Sequence, residues 1–451
     1  MNHDSASVEK LSLAEQQKVA RLVWSSGEPR ISYRRTTLES VWISSCQSMN
    51  RRHFLQTVLA SSISPACTFA QSAHSQKILL RSSWQTVNIG DIAHTPGMLT
   101  LLENYRPAAE VTLWPSSVDR GVEEVLRARF PKLHIAKTKA EKERALAECD
   151  FFLHGSGPGL VGRKEAALAQ KAGKPYGFGG ITLNDAELVE ERELLAGAKF
   201  IFCRDTDSLA ALKKAGVTGP QMEFGPDATF AIDLRDETSA AALLRERKLE
   251  SGQFLCVVPR LRWTPYWEIH PESVKPNPER IKVNEEFAEK DHAKMREAIT
   301  LWVRETKRRV LLTPEMTYAV PLLRPLLFDK LPADVKPHVE VMNRYWITAE
   351  ACSVYAQAAA IVSMEQHSPI MGIAAGVPSV LVRQPTDTRK GRMWYDLKMD
   401  DWVFEVDQST GAQIAARIVE IGNNLPAARA TAAKARATSH ERMVAMIAAI
   451  P

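Results

Sequence analysis

The chain has 451 residues, 45% hydrophobic and 25% charged, so it is longer than a single hydrophobic core usually grows, and two domains with appendages are expected. Lysine and arginine number 58 against 53 acidic residues, and the basic residues are scattered rather than striped, so the basic track of a nucleic-acid binder is excluded. Cys46, Cys67, Cys149, Cys203, Cys256 and Cys352 lack the close C-x-x-C spacing of a zinc or redox site, and no run reaches the roughly 20 apolar residues of a membrane-spanning helix, so neither a metal, a cofactor nor a transmembrane segment is expected.

Residues 1–76 read as a leader. From Met49 the sequence is MNRRHFLQTVLASSISPACTFAQSAHS, with paired Arg51 and Arg52, then Phe54-Leu55, a weakly apolar stretch, and small residues around Ala70. The pattern resembles a twin-arginine export signal cut near Ala70, which implies a periplasmic or extracellular protein. The segment before Met49 shows no sustained period, so synthesis starting at Met49 is expected. A cytoplasmic protein with a basic leader is the alternative.

From Lys77 short apolar runs alternate with amphipathic stretches. KILLRS (77–82), EVTLWP (110–115), KLHIAK (132–137), FFLHGSG (151–157), KPYGFGG (174–180), KFIFCRD (199–205) and MEFGPDA (222–228) read as strands. Helix-like segments lie between most of them, which implies right-handed crossovers and a parallel, doubly wound α/β domain over 77–235. A polar, helix-prone bridge (233–252) leads to a second such domain over 236–410, with strands QFLCVVPRL (253–261), RRVLLTP (308–314), VEVM (339–342), AAAIVSME (358–365), PSVLVR (378–383) and WVFEVD (402–407). Residues 411–451 read as alanine-rich helices broken near Asn423-Asn424-Leu425-Pro426 that pack on the second domain and reach back to the first. Two tandem domains of this kind face each other across a cleft, and ligands of open parallel sheets bind beyond the carboxyl ends of the strands.

The residues directly after each strand are therefore the candidates. Asn88 and Gly90-Asp91 fall in the first βα loop, where Gly90 permits close backbone approach, while Thr95-Pro96 suits the start of the next helix. Asp91 suits either proton acceptance from a sugar hydroxyl or a hold on the loop backbone. HGSGPGLVG (154–162) is a glycine-rich turn of the kind that accommodates anions. Arg204-Asp205 and Pro226-Asp227 end strands, with an internal ion pair the alternative to a carboxylate contact by Arg204. Arg260 and Arg262, at i and i+2 of an extended segment, would point the same way and offer planar forks to an anion, or simply be solvated. His367 leads into Ser368-Pro369, which reads as N-cap and first helical position and sets the imidazole beside the free amides of a helix start.

The motifs Asn88-x-Gly90-Asp91, Asp150 to Gly159, Cys203-Arg204-Asp205, Pro226-Asp227, Pro259-Arg-Leu-Arg262, His367 with Ala375-Gly376-Val377-Pro378, and Lys390, in this order over about residues 77–410, resemble the polysaccharide pyruvyl transferase family. The resemblance implies a GT-B-like pair of Rossmann-like domains. It also implies transfer of a pyruvyl group from phosphoenolpyruvate to two hydroxyls of a glycan acceptor as a ketal. Carried over residue by residue, Arg260 or Arg262, Arg204 and Lys390 would bind the anionic groups, His367 would be the acid or an anion contact, and Asp91 the base. Asn88, Gly90, Glu365 and Ser368 complete the substrate-binding set.

The family usually has arginine two residues before this histidine, and here the position is Glu365. Two unit charges about 4 Å apart interact by roughly 4 kcal/mol at an effective dielectric of 20, so exchanging a cation for an anion reverses the sign of a contact with an anionic donor, and the substitution bears on the donor. Arg383, Arg389 or Lys390 would supply the charge from the next loop, or the acceptor would sit against Glu365. Two other functions fit the pattern. One is an exported, non-catalytic glycan-binding protein of the same fold that stacks sugars on Trp263, Tyr266, Trp267 and Trp394, residues that otherwise are ordinary packing. The other is a nucleotide-sugar glycosyltransferase, for which Gly376-Val377-Pro378 and Glu365 suit a ribose or sugar hydroxyl.

Overall fold

The computed structural model describes residues 75–82 and 85–451, and the leader with its twin-arginine-like motif lies outside the described residues. Among the described residues thirteen strands form, at the thirteen predicted segments. The first seven are β1 (Lys77–Arg81), β2 (Glu110–Trp114), β3 (His134–Ile135), β4 (Phe151–His154), β5 (Tyr176–Ile181), β6 (Phe200–Cys203) and β7 (Gln221–Phe224). They make one parallel sheet in the order β3-β2-β1-β4-β5-β6-β7. The second sheet holds β8 (Phe254–Val258), β9 (Arg309–Leu312), β10 (Val339–Val341), β11 (Ala360–Ser363), β12 (Ser379–Arg383) and β13 (Val403–Glu405), in the order β10-β9-β8-β11-β12-β13.

Central strands of such sheets are covered by helices on both faces and so read as unbroken apolar runs. β8 (FLCVV) and β4 (FFLH) are buried at every position, and His154 at the end of β4 is the one residue of the two that is not apolar. Leu80 stands between Leu113 and Leu153 in register, at the centre of the first sheet. The helix Pro278–Thr306 begins with Asn277 accepting from the Arg280 amide and buries Trp302 completely.

Strand order reverses between β1 and β4 and again between β8 and β11. At these switch points the following loops diverge to opposite faces of the sheet and leave a crevice. The loops after β1, β4, β8 and β11 carry most of the residues singled out above.

Two helix starts differ from expectation. The helix predicted to begin near Thr95-Pro96 runs from Ile89 to Tyr105 with Pro96 inside it, because the Asn88 side chain caps it by accepting from the Gly90 and Asp91 amides at 2.7 and 3.3 Å. Asp91 therefore sits in a first helical turn rather than in a loop. The helix expected to start at Pro369 under a Ser368 cap begins at His367, and the Ser368 hydroxyl is used elsewhere.

The tail forms helices Gly411–Asn423 and Leu425–Ala448, broken at Asn424. The second reaches back to the helix after β1, where Tyr105 and His440 share a 2.6 Å hydrogen bond, and Gln76 donates to the Pro451 carbonyl at 2.8 Å. Among the described residues no helix is long and apolar enough to cross a membrane.

Candidate functional site

A cavity of about 380 Å³ opens where the two switch points meet. Asn88, Asp91 and Arg204 line it from the first sheet, and Arg260, Glu365, His367 and Lys390 from the second. Nine of the ten residues singled out from sequence are thus brought together here, the seven that line the wall together with Gly90, which touches His367, and Ser368, which bonds Glu315, while Arg262 stands apart.

His367 is held from two sides. Its Nδ1 lies 3.1 Å from Glu315, in the loop directly after β9, and the Ser368 amide and hydroxyl both donate to the other Glu315 oxygen at 2.7 Å. Burial opposes charge on the imidazole, but the bond to Glu315 and its charge, with Asp227 and Asp91, outweigh it and raise the His367 pKa. Burial likewise pushes Glu315 up, and His367 and Ser368 overcome it, so the Glu315 carboxyl is held low. The result is a buried His367–Glu315 pair in which each partner favours the other's charged form, with the imidazole Nε2 left without a hydrogen bond, 4.0 Å from Asp227.

Gly90 makes room for that ring. A Cβ at this position would lie 2.2 Å from Cγ and Nδ1 of His367. The glycine's freedom, anticipated for ligand approach, is used instead to seat the imidazole. Gly90→Ala is expected to displace His367 and to cost about 1–3 kcal/mol as an overpacked site. A urea titration together with the pH titration of the His367 ring resonances checks both, and unchanged values would show that the ring does not depend on this contact.

Asp227 is a second buried hub. It accepts from Arg204 at 2.6 Å, from the Thr229 amide at 3.0 Å and from His94 Nδ1 at 2.9 Å. Burial raises the Asp227 pKa, and His94, Arg204 and His367 together bring it well below the usual carboxylate range. Burial dominates at His94 and lowers its pKa against the pull of Asp227, which favours the neutral ring. Arg204 is fully buried, with Nε donating to Thr182 at 2.9 Å, so the internal ion pair and the place on the cavity wall coexist.

Glu365 meets a cation, although not one from the loop that follows it. Its Oε2 lies 3.5 Å from Arg260 Nε, and Arg260 also pairs with Asp387. Burial raises the Glu365 carboxyl to about 7 against the pull of Arg260, with Glu315 adding to the rise. Lys390 stands 3.9 Å from Asp387, and burial lowers it, opposed by Asp387 and helped by Arg260 and Arg204. Of the three cations considered as substitutes for the missing arginine, Arg383 is bound to Glu405 at 2.7 Å and Arg389 to Asp185, which leaves Lys390 on the cavity wall.

Arg262 is not part of this group. Its guanidinium takes Asp291 at 2.8 and 3.0 Å, pairs with Asp407, and lies 3.5 Å over the Phe287 ring. β8 ends at Val258, so Arg260 and Arg262 are not on an extended strand, and the i, i+2 rule that aligned them does not apply. The glycine-rich turn after β4 also departs from an anion cradle. Its amides at Gly157, Leu160 and Gly162 are spent on Gly180, Glu187 and His154. Of the four aromatic candidates, Tyr266 lines the cavity and Trp394 is fully buried core.

Glu315 and His94 were missed, and Asp227 was seen as a motif but not as part of the site. Glu315 had a signal, an acid directly after the predicted strand RRVLLTP (308–314); His94 had none, since it lies within a helix whose start was misplaced. Asp91, His94 and His367 each present a possible metal-ligand atom within 4.8 Å of the others. Glu315 and Asp227 already orient the two imidazoles through Nδ1, and the raised pKa of His367, which favours its charged form, stands against a cation beside it.

Residues 88–384 match the sequence model of the family described as polysaccharide pyruvyl transferase. A search of curated proteins found no match. Among solved structures, a Listeria monocytogenes protein assigned as a UDP-N-acetylglucosamine 2-epimerase is 12% identical with a TM-score of 0.55, covering 83% of this chain and 96% of its own. Anabaena HepE, solved in complex with UDP and glucose, is 11% identical with a TM-score of 0.51, covering 83% and 98%. At such identity these likenesses establish the fold, two Rossmann-like domains in a GT-B-like arrangement.

Proposed function

The chain belongs to the polysaccharide pyruvyl transferase family, and from that premise we propose that it transfers a pyruvyl group from phosphoenolpyruvate to two hydroxyls of a glycan. The observation that carries this reading is His367, fixed by Glu315 with Nε2 unbonded at a cavity whose wall also carries Arg204, Arg260 and Lys390. Forming a pyruvyl ketal from phosphoenolpyruvate requires an acid for the methylene carbon and cations for the carboxylate and phosphate. In this reading His367 gives its proton to the methylene carbon while the first glycan hydroxyl adds to the adjacent carbon and loses its proton to Asp91. The second hydroxyl then displaces phosphate to close the ketal.

A nucleotide-sugar glycosyltransferase is the second reading, supported by one observation. Arg260 already has Asp387 and Glu365 as partners, so part of the wall's positive charge is compensated as an uncharged sugar or ribose would allow. The two readings separate on one measurement, release of inorganic phosphate from phosphoenolpyruvate across a panel of diol-bearing glycans. Release that depends on the glycan is expected. Silence across the panel, with release of nucleoside diphosphate from a nucleotide sugar, would move the assignment to the second reading.

A further inference from the structure

The pyruvyl-transfer reading assigns a proton acceptor to the first hydroxyl and none to the second. The cavity wall holds a second carboxyl group with a free valence. Glu365 follows β11 in a turn fixed by Ser363, whose hydroxyl accepts from the Glu365 amide at 2.9 Å and donates to the Glu365 carbonyl at 2.6 Å. One carboxyl oxygen faces Arg260 at 3.5 Å, and the other, Oε1, is buried without a hydrogen-bond partner although the residue lines the cavity. Asp91 differs, because its carboxylate already accepts from Gln85. A buried polar oxygen without a partner is costly, by about 1–3 kcal/mol, and is satisfied when a ligand donor reaches it.

We propose that Glu365 carries the proton of the second attacking hydroxyl to the phosphate that this hydroxyl displaces. The proposal rests on the pyruvyl-transfer reading and supplies its missing proton path. As the second C–O bond forms at the ketal carbon, the hydroxyl O–H breaks and its proton passes to Oε1. The C–O bond to phosphate breaks with its electron pair leaving on the phosphate oxygen, which then takes the proton from Glu365. Meanwhile Asp91 returns the first hydroxyl's proton to His367, with which it has ligand atoms within 4.8 Å. The first hydroxyl's proton thus replaces the one that His367 gave to the new methyl group, the second hydroxyl's proton ends on phosphate, and all three side chains return to their starting states.

The groups around Glu365 fit a residue that changes charge. Arg260, Glu315, Lys390 and Asp387 act on it from the loops after β8, β9 and β12, and Tyr318 and Tyr266 complete its surroundings. Burial, the largest influence, holds the carboxyl up at about 7, so both protonation states are accessible near neutrality. An arginine at this position would bind an anion but accept no proton.

The test is phosphate release and ketal formation by the full chain, Glu365→Gln and Glu365→Asp, with phosphoenolpyruvate and a diol-bearing glycan, each across the neutral pH range. The unmodified protein is expected to lose kcat on the acid side as Glu365 protonates. Glu365→Gln is expected to fall by about 100-fold or more and to lose that acid limb, while Glu365→Asp keeps the limb at reduced rate. Folding of the glutamine variant is checked by melting. A carboxyl with a raised folded pKa contributes stability below its unfolded value that is lost as pH rises through about 7, so the neutral variant should melt above the unmodified protein at alkaline pH. A folded Glu365→Gln that turns over at the normal rate with the acid limb intact overturns the relay and leaves pyruvyl transfer standing. Absence of glycan-dependent phosphate release from the unmodified protein overturns both.

Discussion

His367→Ala is expected to lower glycan-dependent phosphate release by about 100- to 10,000-fold, the range for loss of a positioned general acid. Binding of phosphoenolpyruvate should survive in part, because Arg204, Arg260 and Lys390 remain on the wall. The sharper experiment alters the partner. Glu315 does not line the cavity, and it acts through His367 and Ser368, which it holds at 3.1 and 2.7 Å. Glu315→Gln keeps the shape and removes the charge that keeps the imidazole protonated. An acid must carry its proton, so activity falls as pH rises through the His367 pKa, and the basic limb of the kcat profile should move to lower pH in Glu315→Gln. A merely structural glutamate would reduce the folded fraction without moving the limb.

The same pair predicts a stability profile. His367 has a raised folded pKa, so its contribution is complete below its unfolded value, near 6.5, and is lost as pH rises through the folded value. Glu315 has a lowered pKa, so its contribution is present above its unfolded value and is lost as pH falls through the folded one. The pair therefore stabilises the fold between those limits, and a chain with His367→Ala should show a flatter dependence on both sides.

Asp227→Ala is expected to have the largest effect on stability, about 3–5 kcal/mol, because it strips a fully buried Arg204 and His94 of their shared anion. Urea unfolding measures it. Asp227→Asn should recover part of the loss by keeping hydrogen-bond acceptance from the Thr229 amide, which donates at 3.0 Å. A change under about 0.5 kcal/mol, ordinary for a surface site, would mean that Arg204 and His94 have other compensation. The experiment also separates structure from chemistry, since loss of Asp227 reaches the cavity only through Arg204 and through the 4.0 Å approach to His367.

Much of the fold was legible before any coordinates. Short apolar runs such as FLCVV and FIFC, spaced by amphipathic stretches, have one economical arrangement, strands buried on both faces by the helices that connect them. That periodicity located all thirteen strands, and the rule that ligands lie beyond strand carboxyl ends pointed to His367, Asp91, Arg204, Arg260, Glu365 and Lys390 before their meeting was seen. The helix starts were less legible. Proline at Pro96 and Pro369 suggested boundaries, but side-chain bonds from Asn88 and to Glu315 set them.

The sequence by itself determined which residue types stand after each strand and which family the motif order resembles, because those are local patterns. Tertiary structure decided partners, which depend on segments far apart in the chain. Glu315 and His367 are 52 positions apart, and Arg260 and Asp387 are 127 apart. Two arginines separated by one residue, Arg260 and Arg262, entered different ion pairs because β8 ended before them and their side chains no longer shared a face. The anion at Glu365 found its cation on a neighbouring strand's loop, a pairing that only the parallel sheet, with β8 beside β11, brings about.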